Sequence, residues 1–147
     1  MDVAQVEFLL VGDHAEANSG KLNMLGAGWT DLWRGPAPEA SGPPITHFGI
    51  AIGVLVPWAA TNQPHHLVVK IEDEDGQILG EPIEADIEMG RPPGLPEGSD
   101  QRAILAINAD IQFPAAGGYR VMARLTDDEC KSVSFRVHDQ PPAAQQG

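Results

Sequence analysis

Positive charge is what this sequence has least of. Against 21 Asp and Glu stand only three lysines (Lys21, Lys70, Lys131) and six arginines, a formal net charge of −12. Proteins that bind nucleic acid draw much of their affinity from cationic groups on phosphates, and an anionic membrane surface makes the same demand. No basic stripe or cluster occurs, so neither nucleic acid nor membrane is an expected partner. The acidity reads as a device for solubility and mutual repulsion. Cysteine is nearly missing as well: Cys130 is alone, which leaves no internal disulfide and fits a reducing cytoplasm, the expected location. Its neighbours Asp128 and Glu129 disfavour a thiolate, so no reactive role is assigned to it. The apolar run near the start, Phe8 to Val11, is too short for a signal or membrane-spanning segment. Aromatic residues make up only 5% of the chain, so its core needs the large rings it has. Convincing helical periodicity is missing too.

What is present is a two-residue rhythm. Tyr119, Val121, Ala123 and Leu125 alternate with Arg120, Met122 and Arg124, and Val133, Phe135 and Val137 alternate with Ser132, Ser134 and Arg136. Ile83, Ala85, Ile87 and Met89 alternate in the same way with Glu84, Asp86 and Glu88. Side chains of an extended strand point to opposite faces in turn, so each segment has one apolar and one polar face. Several such faces are hidden only by packing sheet on sheet.

The segments follow in order. Val6 to Gly12 starts a strand that runs on to Ala17, Asn18 to Lys21 is a turn, and Leu22 to Leu25 is the return strand. Trp29 to Trp33 continues it beyond a glycine bulge. Gly35 to Pro44, with four prolines and two glycines, is a long crossing connection. Phe48 to Val56 is apolar on both faces and therefore central, and its Gly49, Ala51 and Gly53 fall on one face, where something must approach closely. Pro57 to Pro64 makes a corner; Leu67, Val69 and Ile71 point inward from the next strand, and Asp75-Gly76 turns it. The acidic strand near Ile83 to Met89 is read as an edge. Gly90 to Asp100 is a second crossing loop, followed by strands through Leu105 to Ile111, from Tyr119, and to near His138.

These readings predict an all-β, two-sheet antiparallel sandwich of Greek-key type, immunoglobulin-like or jelly-roll-like, with about eight strands. A chain of 147 residues fits one domain, placed at residues 1–139, with 140–147 as a disordered tail.

Four stretches carry a resemblance: Val6 to Leu10; Lys21 to Trp29; Val56-Pro57-Trp58 with Asn62, Pro64, His65 and His66 leading to Asp75-Gly76; and Gly118-Tyr119 to Phe135-Arg136-Val137. Across most of its length the chain resembles an uncharacterised family of small bacterial β-sandwich proteins, classed as a domain of unknown function. The resemblance implies the fold and a bacterial, actinobacterial origin, and it implies no activity. Such families usually carry Asp-Gly between their last two strands; Asp127-Asp128-Glu129-Cys130 stands here instead, so that turn has another geometry.

Candidate sites are few. A calcium loop of the helix-flanked type, with Gly76 at its sixth position, has Asp75 and Asp73 at five and three. It lacks ligands at both ends, where Ile71 and Pro82 stand, so only a looser site shared with Asp127, Asp128 and Glu129 of another loop remains. The five histidines lack the spacing of a cupin or a zinc protease, and adjacent His65 and His66 point to opposite strand faces. His66, beside Trp58 and Asn62, is expected to hydrogen-bond loop backbone. Trp29 and Trp33, with Asp31 between them in the two-residue rhythm, share a strand face; buried they fill the core, exposed they form a platform for sugar rings. No nucleophile elbow and no dinucleotide loop occur. No cofactor and no catalytic residue is therefore expected. The reading is a non-enzymatic cytoplasmic module acting through protein contacts, with self-association into a homodimer as one form. The alternative is a ligand-binding sandwich, with calcium at the acidic loops or carbohydrate on tryptophan. Trp29, Trp33, Trp58 and His66 are the interaction candidates.

Overall fold

A computed structural model of the chain describes residues 3–35, 42–125 and 130–139. The expected tail, the acidic turn with Asp127 and Asp128, and residues 36–41 of the first proline-rich crossing lie outside the described residues. Ten strands are described where about eight were expected: β1 (Gln5–Gly12), β2 (His14–Asn18), β3 (Lys21–Leu25), β4 (Asp31–Arg34), β5 (Ile45–Val56), β6 (His65–Asp73), β7 (Ile83–Ile87), β8 (Gln101–Gln112), β9 (Gly117–Leu125) and β10 (Cys130–Asp139). A single turn of 3-10 helix, Trp58–Ala60, forms the corner after β5.

One sheet has the order β1-β5-β8 and the other β4-β10-β9-β6-β7, while β2 and β3 form a separate hairpin. Pairing is antiparallel except where β4 runs parallel to β10, Asp31 opposite Arg136 and Trp33 opposite His138. The chain crosses between sheets after β4, β5, β7 and β8, and forms hairpins at β6–β7 and β9–β10. That is the Greek-key connectivity of an immunoglobulin-like sandwich. Tyr119 adds a local sign of it: from the start of β9 its hydroxyl donates to the Ala115 carbonyl at 2.6 Å, the arrangement called a tyrosine corner.

The two-residue rhythm builds the core as it must. Leu67, Val69 and Ile71 of β6, Tyr119, Val121, Ala123 and Leu125 of β9, and Phe135 and Val137 of β10 are all buried. They meet Phe48, Ile50, Ile52, Val54 and Val56 of β5, which are fully sealed. Rings concentrate at one place: Phe48, Phe113, Tyr119, Phe135 and Trp29 form a cluster with centroids 4.8–6.2 Å apart.

The other face of β5 shows why it carries small residues. A Cβ on Gly49 would lie 2.7 Å from the Ala15 nitrogen and 2.8 Å from the His14 carbonyl carbon, and one on Gly53 would meet the Phe8 ring. The β2–β3 hairpin is folded down onto this face, and Asn108 of β8 fastens it. The Asn108 side chain accepts from the Ala15 N–H at 3.0 Å and donates to the Ala15 carbonyl at 2.8 Å. The hairpin's own turn is made by Ser19 and Gly20, both with positive φ.

Candidate functional site

The outward face of the five-stranded sheet holds a groove of about 580 Å³. Its floor is low because two outward residues are small: Gly118 on β9 and Ser134 on β10, between the longer Arg120 and Arg136. Gly118 is kept small by its neighbour, since Glu74 folds over it and its Oε1 accepts the Gly118 N–H at 2.7 Å. Asp73 and Glu74 form one bank, Thr30 and Asp31 the other. Arg120 is held by the largely buried carboxylate of Glu72, whereas Arg136 is exposed.

The Asp31 bank is a built structure. Asp31 accepts from the Thr30 hydroxyl at 3.0 Å and from His138 Nε2 at 2.7 Å. A carboxylate can only accept, so that ring nitrogen carries the proton. The His138 bond, then the Thr30 bond, hold the Asp31 carboxyl below its ordinary value, with His138 and Arg136 charge adding to it. The indole of Trp33 stacks on the His138 ring at 4.5 Å and is itself 54% exposed.

Trp29 and Trp33 do not share a strand face, contrary to the expectation from their spacing. Gly28 has φ +89°, so the backbone is not extended through Trp29, and β4 begins only at Asp31. Leu32 then points inward and Trp33 outward. Trp29 is half-buried, edge-on to Phe48 and Phe135, with Nε1 donating to Asp13 at 3.2 Å. One tryptophan belongs to the core and the other to the surface.

The histidine at the corner is also corrected. His65, not His66, bonds loop backbone: it is buried and its Nε2 donates to the Ala60 carbonyl at 2.8 Å. His66 points the opposite way, with Nδ1 donating to Asp86 at 2.8 Å and Nε2 to Glu84 at 2.7 Å. Two carboxylate acceptors require two N–H groups, which is the imidazolium form, and Asp86 and then Glu84 raise its pKa. Trp58 is half-buried beneath Arg91, whose guanidinium lies 3.9 Å above the ring and also bonds the Trp58 carbonyl and the Thr61 hydroxyl.

Asp73 and Asp75 sit in the expected turn, where Asp73 Oδ1 accepts from the N–H groups of Asp75 and Gln77, both at 2.9 Å. Asp73 thus caps its own loop. Among the described residues no group of three or more His, Cys, Asp or Glu is placed to hold a metal ion. A second polar cluster, not foreseen, links the three-stranded sheet to the β2–β3 hairpin: Asp110, His47, His14 and Glu16 form a chain of contacts at 2.8, 3.2 and 3.3 Å.

Of this site the sequence had marked Trp33 as a candidate; Asp31, His138, Arg120 and Arg136 were missed. The outward parity of Arg120 and Arg136 was readable from β9 and β10; the arrival of β4 beside them was not.

The model of a family of unknown function, DUF6941, matches residues 7–138. No curated protein matches the chain. Among solved structures, the chain is similar to the crystal structure of an immunoglobulin-like protein from Pseudomonas aeruginosa. The two are 17% identical over 92% of this chain and 96% of that one, with a TM-score of 0.42.

Proposed function

The chain belongs to the DUF6941 family of unknown function, and from the groove described above we propose that it is a non-enzymatic module that binds a protein partner. The observation that carries this is Trp33: a large indole, 54% exposed, stacked on His138, which also bonds Asp31 on one bank of the groove between Arg120 and Arg136. Trp and Arg are the residue types that dominate binding energy at interfaces, and an indole already fixed in place loses little freedom on binding. The partner surface that fits is an apolar group on Trp33 beside a carboxylate on Arg136. A cytoplasmic setting accords with an exposed, unpaired Cys130.

The test is affinity purification from the native host with wild type, Trp33→Ala and Arg136→Glu, each checked for an unchanged melting temperature. A protein retained by wild type and lost by both variants is the expected result. Identical sets of co-purifying proteins would refute the groove as the docking surface. A glycan on Trp33 is the second reading, supported by the same exposed ring and the polar banks beside it. Quenching of tryptophan fluorescence by a sugar panel, abolished in Trp33→Ala, would favour it.

A further inference from the structure

A sheet edge offers a row of unpaired backbone groups, and proteins blunt such edges with shortness, charge, bulges or proline. Of the four edges of the two larger sheets, three are blunted. β4 is four residues long, β7 is five residues with Glu84 and Asp86 on its outer face, and β1 is broken by a register shift between Val6 and Phe8. β8 is neither short nor bulged, and its two charges, Arg102 and Asp110, are of opposite sign. It is twelve residues long, contains no lysine and no proline, and pairs with β5 in unbroken register from Gln101 to Gln112. Among the described residues no turn or loop backbone bonds to its far side. Its inward row, Ala103, Leu105, Ile107, Ala109 and Ile111, is only half-buried, whereas the matching row of β5 is sealed.

The strand is also complementary to itself. In antiparallel pairing, residues directly opposite share a face, so two copies of one strand can pair only about a residue, never between two. With Ala106 on the axis, Leu105 faces Ile107 and Ala103 faces Ala109 of the second copy, which extends the apolar row across the junction. On the outer face Arg102, paired with Glu7 of its own chain, then faces Asp110, which is bonded to His47, twice by symmetry, and Ile104 faces Asn108, whose amide is held by Ala15. Moving the axis to Ile107 sets Ile104 against Asp110 and Arg102 against Gln112 instead. In a chain of net charge −12, this strand carries one charge of each sign.

We propose that β8 pairs antiparallel with β8 of a second copy about an axis at Ala106, joining the two three-stranded sheets into one of six. This dimer is independent of the groove on the opposite sheet: Trp33→Ala and Arg136→Glu leave it intact, and its failure leaves the groove reading standing.

Light scattering behind size exclusion, run across micromolar concentrations, should give twice the chain's mass. Ala106→Lys places two ammonium groups face to face on the axis, and Arg102→Asp sets Asp against Asp110; each should raise the dimer Kd roughly tenfold or more. Adding Asp110→Arg to Arg102→Asp should restore the dimer, a rescue that mere damage to the fold would not give. In a Cys130→Ser background, Ala106→Cys should form an intermolecular disulfide, because opposed Cα atoms stand within disulfide range. Ala109→Cys, which faces Ala103, should not. A monomeric wild type overturns the proposal. So does a dimer that tolerates Ala106→Lys, or one in which Ala106→Cys fails to cross-link.

Discussion

Replacing Gly49 by alanine adds one methyl group where the β2–β3 hairpin lies against β5. The added carbon would stand 2.7 Å from the Ala15 nitrogen and 3.0 Å from the His14 Cα, about 1 Å inside ordinary contact distance. Both neighbours are backbone, so neither can rotate away. The strain is relieved in one of two ways. Either the sheet absorbs it, with an overpacking cost of about 1–3 kcal/mol, or the hairpin lifts and loses the two Asn108 bonds to Ala15, at about 0.5–1.5 kcal/mol each. The two routes cost much the same, so about 2 kcal/mol is expected, a fall in Tm of about 4–8 °C for a domain of this size. Gly53→Ala should cost less, because its obstacle is the Phe8 ring, a half-buried side chain that can turn. Thermal melts give the size of the effect, and amide exchange at Ala15 tells which route is taken. Fast exchange at Ala15 means the hairpin has lifted; retained protection with a lower Tm means the sheet has absorbed the strain. A Gly49→Ala protein that melts within about 1 °C of wild type would refute this account of why β5 carries a glycine there.

Other consequences can be checked one by one. His66, held by Asp86 and Glu84, should titrate by NMR above the ordinary imidazole value, and Asp86→Asn should bring it down. Because the folded value is the raised one, the stabilisation is complete below about pH 6.5 and is lost as pH rises through the folded value; His66→Asn should remove that slope. Arg91→Ala removes the cation above Trp58 and the bonds to Thr61 and the Trp58 carbonyl, and should cost about 1–3 kcal/mol in chemical denaturation. Tyr119→Phe leaves the ring in the core but orphans the Ala115 carbonyl, with an expected loss of about 1 kcal/mol and no change in the near-ultraviolet spectrum beyond the missing phenol.

The architecture was legible where the backbone stays extended long enough for parity to hold. β9 shows this: four buried residues alternate with Arg120, Met122 and Arg124, and a pattern of that length has one interpretation. β5 was legible as central because it is apolar on both faces, and the close approach at Gly49 and Gly53 followed from their small size. Parity failed wherever a backbone bend intervened. The segment from Val6 to Ala17 read as one strand, yet the chain turns at Asp13, so that β1 joins β5 and β2 joins β3. Trp29 and Trp33 were separated by the turn at Gly28 in the same way. His65 and His66 were correctly set on opposite faces, but only tertiary contact decides which of two adjacent residues looks inward. The groove was out of reach for another reason. Asp31 and Arg136 meet across a parallel pairing between strands a hundred residues apart, and no local pattern encodes which edge a four-residue strand will join.

That pairing has a bearing on how the molecule is assembled. β4 emerges early in synthesis, but the strand it must lie against is β10, made last. Until then the five-stranded layer lacks its closing border, and Leu32, with the Trp29 ring before it, has no Phe135 or Val137 to settle against. Loop closure on that scale is slow, so a nascent chain must carry these oily groups unsheltered while most of its length is produced. Truncation that removed the final strand would strip the layer of two members at once.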